Sequence, residues 1–357
     1  MRTKITALLL AILLFYCGNI NAQDNFKKID NWLADNASAM GGRDILLIYK
    51  NGHIIYSHAE NKMNMRQKML NRYVAKRQGE TPDFSDYTPD TRQAIASCSK
   101  WLSAALVMTF VDEGKLKLTD TVGKYLPILT KHGKGNITIA DCLAHLTAVK
   151  SPELKEEMHD LKDMNTMEDA IAAIADLPME GEPGKVFHYS NTGLQIAAAV
   201  IEKISGDNFR HLFAERIAKP LNMDHTDFGF SKVPLPAGGA VSTPNDYMNF
   251  LVMILNKGTF NGKRILSEKS VAEMQVNRQT SDVKIAYTPA QIDGFGYGYG
   301  EWILGDGFVS SPGLFGSFPW VDNHKGYAAF LMTFYLNSSG RDERYLEIKK
   351  LVDTAVN

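Results

Sequence analysis

Strand-forming segments sit at the two ends of this chain and helix-forming segments fill its middle, and that order constrains the fold more than any other feature. Asp44 to Tyr49 and His53 to Ser57 are apolar-rich runs joined across Asn51-Gly52, a strong two-residue hairpin signal. From 294 to 337 the chain is rich in glycine and aromatic residues in strand patterns. Between them, 138–146, 167–176, 192–204 and 207–217 read as helices, broken at Pro152, Pro178, Pro183 and Gly206. Residues 26–37 read as a short surface helix, and 244–256 and 341–356 as further helices. The pattern predicts a sheet built from both termini and a helical insertion.

Residues 98–113 form the clearest helix. Trp101, Leu102, Ala105, Met108 and Thr109 share one face, and Leu106, Val107, Phe110 and Val111 make the other sides apolar too. Such a helix is buried all round, and Gly114 supplies its stop.

The first residues stand outside the fold. Arg2 and Lys4 precede an apolar run from Ile5 to Tyr16, which is short against the roughly 20 residues of a membrane span. This reads as a secretory signal peptide over residues 1–22, cleaved after Ala22. Its removal takes two basic residues and moves the net charge from −1 to −3. It leaves one domain, 23–357, with a periplasmic or extracellular location. A rival reading makes Cys17 a lipid-anchored terminus, which Tyr16 before it disfavours. Cys98 and Cys142 remain and read as two buried free thiols, although the sequence leaves a pairing open.

The charge balance gives no case for nucleic acid, and no later segment is apolar enough for a stable membrane span. Residues 61–78 carry Lys62, Arg66, Lys68, Arg72, Lys76 and Arg77 with no acid. They read as a solvated loop or helix face rather than an anion-binding strip. The histidines show no metal-ligand spacing and Gly258 to Arg264 is a turn, so no cofactor or metal is expected. Gly-x-Ser-x-Gly is absent from every serine.

Ser97-Cys98-Ser99-Lys100 carries a different chemistry. Serine and lysine three apart on a helix project from one face, so the amine can reach the hydroxyl. The serine sits at the helix start, where N–H groups and the dipole favour a developing oxyanion. The same field, with burial, pushes the lysine toward its neutral form, able to take the serine proton. Ser281-Asp282-Val283-Lys284 has the same spacing but no amphipathic helix after it. Tyr-x-Asn occurs at Tyr49, Tyr189, Tyr247 and Tyr335, and only Tyr189 lies in an irregular segment leading into an apolar helix. Such a loop presents a phenol and the Asn191 amide to a cleft. A phenol beside an ammonium loses its proton more easily, which suits a general base. His188 reads as structural.

In order and spacing these phrases resemble the serine β-lactamase-like group that includes class C β-lactamases, DD-peptidases and related esterases. Ile95-Ala96-Ser97-Cys98-Ser99-Lys100 looks like its nucleophile motif, and Val111-Asp112-Glu113-Gly114-Lys115-Leu116 like the end of its nucleophile helix. Ile137 to Thr147 is similar to a helix start that usually continues His-Thr-Ser-Gly, altered here. Gly239 to Asp246 also matches. The resemblance spans roughly residues 30–356. It implies an α/β fold with an antiparallel sheet formed by both termini (about 23–114 and 226–357), flanking helices and an all-helical lobe (about 115–225), with the cleft between.

The resemblance also implies a third motif, Lys-x-Gly or His-x-Gly, on the strand lining the cleft. His324-Lys325-Gly326 fits literally but reads as a hairpin turn. Ser311-Pro312-Gly313 lies one strand earlier and is taken as the motif, without its cation and with Pro312 removing a backbone donor. Ser317 to Val321 is a strand weakened by Pro319. The implied mechanism is two-step acyl transfer. Ser97 attacks, Lys100 and Tyr189 shuttle its proton, Asn191 orients substrate or Lys100, and the N–H groups of Ser97 and Leu314 hold the oxyanion. With Ser311, Gly313 and Leu314 as the substrate-side residues, the expectation is an esterase or amidase acting on a small-molecule or cell-wall-derived substrate. A DD-peptidase or weak β-lactamase is the alternative, and a non-catalytic binding protein with a retained cleft a second.

Overall fold

Asn51 and Gly52 adopt positive φ angles of 53° and 88°, the left-handed pair that closes a two-residue hairpin. They join β1 (Arg43–Lys50) to β2 (His53–Asn61), with a bulge between Ile48 and Tyr49. The computed structural model describes residues 24–357 except 79–80, 153–155, 157–162, 290–293 and 306. The expected signal peptide and the Cys17 alternative fall outside the described residues.

Five strands from the C-terminal part complete the sheet: β3 (Gly296–Tyr297), β4 (Trp302–Ile303), β5 (Phe308–Ser310), β6 (Phe318–Asp322) and β7 (Tyr327–Thr333). Their order is β2-β1-β7-β6-β5-β4-β3, and every pairing is antiparallel. Leu46 opposes Leu331 where the two ends of the chain meet, between the second and third strands.

Alternation along β1 and β7 sends residues to two cores. Ile45, Leu47, Phe330 and Met332 face α3 (Ser99–Asp112) and α5 (Pro244–Leu255). Leu46, Ile48, Ala329 and Leu331 face the other side, where α1 (24–36) and α6 (Arg341–Ala355) pack. The expected surface helix near 26–37 therefore buries Ile29, Trp32 and Leu33. Helix α3 is buried from Ser99 to Phe110, as its all-round apolar pattern predicts.

Pro319 does not weaken β6. Ladder pairing with β5 runs from Phe308–Asp322 to Ser310–Trp320, so β5 has ended before it would meet Pro319. The same ending releases Ser311-Pro312-Gly313 from the sheet toward α3.

In the middle of the chain, the helices at Met167–Asp176 and α4 (Thr192–Ser205) match their sequence patterns. The helix expected over 138–146 is only Ile139–Leu143: a Thr138–Asp141 capping box starts it, and His145 at φ 58° turns the chain away. The segment is also not wholly helical. Val186–His188 is a strand paired in parallel with Lys284–Tyr287, and the Tyr189 N–H continues the pairing to Tyr287 O at 3.1 Å. Cys98 and Cys142 are buried and unpaired with each other.

Candidate active site

Ser97 lies in a single 3-10 turn, Ala96–Cys98, immediately before α3. Ala96 holds φ 46°, uncommon for a residue with a Cβ. The turn leaves Ser97 partly exposed while Ala96, Cys98 and Ser99 are buried. It is pinned from behind: Ser99 Oγ donates to Ala96 O at 2.5 Å and accepts from Ala240 N–H at 2.9 Å, and Tyr247 Oη donates to Cys98 O at 2.8 Å.

Lys100, one helical turn on, is 1% exposed. Its Nζ stands 3.4 Å from Ser97 Oγ, 3.0 Å from Asn191 Oδ1 and 2.9 Å from Ala237 O. Asn191 precedes the first residue of α4 and is itself buried. Three stretches far apart in sequence thus converge on one amine. The Ser281-Lys284 copy lies elsewhere: Ser281 and Lys284 are exposed, and Asp282 between them binds Lys185 Nζ at 2.6 Å.

Tyr189 joins the group by its ring. The Lys100 Nζ sits 4.8 Å from the ring centroid, a cation–π placement. The expectation that the ammonium eases loss of the phenol proton is not met. Burial pushes the Tyr189 phenol above its ordinary value, and hydrogen bonding with Ser97 and Trp302 offsets only part of this. Tyr189 is a neutral phenol at neutral pH.

Residues that the sequence did not single out hold that ring. His145 lies 4.6 Å and Trp302 5.3 Å from it, centroid to centroid. His145 Nδ1 accepts from the Ser190 N–H at 3.4 Å, so Nε2 carries the proton toward Tyr297 Oη at 3.1 Å. Burial and the nearby Lys100 hold this imidazole well below its usual pKa, hence neutral. Its position inside the Ile137–Thr147 phrase was the one signal for it. His188 points away as expected, with Nδ1 2.6 Å from Glu180 Oε1.

The third motif corrects an expectation. Ser311 is 2% exposed, and its hydroxyl is directed at two backbone carbonyls, Ser97 O and Gly300 O, both at 3.1 Å. It ties the loop to the nucleophile turn rather than facing the cleft. At Gly313 the loop packs directly on that segment: a Cβ there would lie 2.3 Å from Ile95 O. Leu314 follows at 38% exposure. The Gly316 N–H donates to Gly313 O at 2.9 Å, which fixes the peptide plane whose N–H belongs to Leu314. Gly316 itself has φ 91° and no room for a Cβ against Tyr335. His324-Lys325-Gly326 is the β6–β7 turn, as read.

A serine, a buried lysine, a tyrosine and an asparagine assembled in this way on an antiparallel sheet define a serine hydrolase of β-lactamase fold. Residues 44–352 match the Beta-lactamase family model, and the chain belongs to that family. Protein Rv1367c of Mycobacterium tuberculosis (strain ATCC 25618 / H37Rv) is 27% identical over 290 residues, covering 65% of this chain and 72% of that protein. A solved structure from Bacteroides dorei DSM 17855 aligns with a TM-score of 0.76 at 26% identity, over 93% of this chain and 99% of that one. EstCE1, a hydrolase with promiscuous acyltransferase activity, aligns with a TM-score of 0.72 at 20% identity, over 95% and 100%.

Proposed function

We propose that this chain is an exported serine hydrolase that cleaves esters or amides through an acyl-enzyme on Ser97, and that its substrates lack a carboxylate beside the scissile bond. The observation that carries the catalytic part is the Lys100 amine 3.4 Å from Ser97 Oγ, steadied by Asn191 and Ala237. Once the Lys100 ammonium has released a proton to solvent, Ser97 Oγ attacks the carbonyl carbon while its own proton passes to that amine. The N–H groups of Ser97 and Leu314 receive the oxyanion. Collapse of the tetrahedral intermediate expels the leaving group, which takes its proton through Tyr189, a neutral phenol suited to donate. Water then attacks the ester of Ser97 and releases the acid.

The substrate class rests on the third motif. Its only side-chain donor, the Ser311 hydroxyl, is directed at backbone carbonyls, so the motif itself supplies no cation for a carboxylate, and the buried Arg341 guanidinium against the loop donates to the Leu314 and Tyr335 carbonyls. The test is the intact mass of the protein after a fluorophosphonate and, separately, after a penicillin. The reading expects a stoichiometric adduct with the first and none that persists or turns over with the second. Rapid penicillin hydrolysis would favour a β-lactamase or DD-peptidase, and no adduct with either would leave a binding protein.

A further inference from the structure

We propose that the helix α2 (Met65–Gln78) docks this protein on an anionic lipid surface. The sequence alone reads this stretch as a solvated basic face. The structure adds what a solvated face does not need: Met65, Met69, Leu70 and Tyr73 are 71%, 62%, 60% and 58% exposed. Scattered exposed apolar residues are ordinary, but four large ones on one short helix form a surface in their own right.

The helix attaches by its opposite side. Ala75 is buried, Gln67 Nε2 donates to Ser38 O at 2.8 Å, and Gln67 and Asn64 exchange side-chain and backbone bonds at the helix start. At 100° per residue, Met65, Met69, Tyr73 and Leu70 fall within an arc of about 140°. Lys76 and Arg66 lie inside that arc, and Arg72 and Lys68 flank it. No acidic residue occurs from Asn61 to Gly79, in a chain whose net charge is −1.

This mixture selects the occupant by charge. The stretch carries six basic residues and no acid, so the surface that complements it is an anionic one. At a lipid interface the apolar side chains enter the boundary between headgroups and acyl chains. Long basic side chains snorkel from the same arc to the phosphates. The occupant is therefore a bilayer containing anionic phospholipid, and contact is peripheral: no helix among the described residues is long and apolar enough to cross a membrane. The inference is independent of the catalytic reading.

The experiment is co-sedimentation of the purified protein with phosphatidylglycerol-containing vesicles and with pure phosphatidylcholine vesicles. Binding is expected to the first and not to the second, and to weaken as salt is raised. Arg66→Gln with Lys76→Gln should weaken it about 30-fold, at about one kcal/mol per basic residue near such a surface and 1.4 kcal/mol per tenfold. Met69→Glu with Leu70→Glu should abolish it. All four sites are exposed, so circular dichroism should show an unchanged fold. Three results would overturn the proposal: no sedimentation with anionic vesicles, sedimentation indifferent to both variants, or a self-associated species in gel filtration that the glutamate variant disperses.

Discussion

The Ser311 hydroxyl lies 3.1 Å from the backbone carbonyl of Ser97, so the third motif is tied to the peptide of Ser97 itself. From the sequence alone, a lysine at 311 should restore a cation for carboxylate substrates. The burial of Ser311 changes that outcome. Ser311→Lys is expected to destabilise the protein, with overpacking costs of about 1–3 kcal/mol, and not to confer penicillin turnover. Thermal melting and a penicillin assay read both parts, and a stable variant that hydrolyses penicillin would show that the loop can open to hold the cation.

Ser97→Ala should abolish ester hydrolysis and fluorophosphonate labelling with an unchanged melting temperature, because Ser97 is partly exposed and its backbone turn is held by Ser99 and Tyr247. Ser281→Ala should leave turnover intact. Near wild-type activity in Ser97→Ala would remove it from the reaction.

Tyr189→Phe keeps the ring over the Lys100 amine and deletes the hydroxyl. A loss of roughly 10²–10⁴-fold in kcat is expected, the usual contribution of a positioned acid–base group. Tyr247→Phe deletes a hydroxyl that bonds Cys98 O, so it should cost about 1 kcal/mol of stability and far less activity. Because burial raises the Tyr189 phenol, the alkaline limb of the wild-type pH–rate profile should not fall from its ionisation up to pH about 10. Equal, small effects of the two substitutions would separate Tyr189 from the chemistry.

Arg341 is 1% exposed and donates to Leu314 O at 2.9 Å and to Tyr335 O at 3.0 Å, bracing the loop that presents the Leu314 N–H. In the proposed mechanism it is a positioning residue. Arg341→Lys should lower kcat about 10-fold with KM little changed, a fraction of the 10²–10³ lost when an oxyanion donor is removed outright. Added guanidinium should restore part of the rate of Arg341→Ala. A change in KM alone would place Arg341 in substrate binding instead.

Asp44, fully buried at the start of β1, has its carboxyl pushed up to about 8 from the ordinary 3.8, first by burial and next by Glu60. The folded state thus holds a proton that the unfolded state loses. Stability should be greatest below pH about 4 as far as this group is concerned and fall as pH rises to about 8, by at most about 1.4 kcal/mol per unit. Asp44→Asn should flatten that dependence in urea midpoints measured across the range. An unchanged slope would show that Asp44 is ionised in the folded protein.

Much of this was legible in the chain. The Asn51-Gly52 turn, the all-apolar helix after Ser97 and the helices at 167–176 and 192–205 follow from local pattern, because each depends on residues a few positions apart. Ser97, Lys100, Tyr189 and Asn191 were singled out by two short phrases together with the family resemblance in order and spacing, which local pattern alone does not supply. Pro319 misled, because the harm of a proline in a strand depends on which neighbour faces it, and only the three-residue length of β5 settles that.

By itself the sequence determined most of the segments that are helix and strand, and which four polar side chains meet around one amine. The tertiary structure decided what those side chains face. It brought Ala237 O to the Lys100 amine, His145 and Trp302 to the Tyr189 ring, and the Ser311 hydroxyl to Ser97 O. It also left four large apolar residues of α2 facing out. The physical reason is one of range: periodicity reports which side of an element is buried. The partners just named come from residues tens to hundreds of positions away, which periodicity does not see.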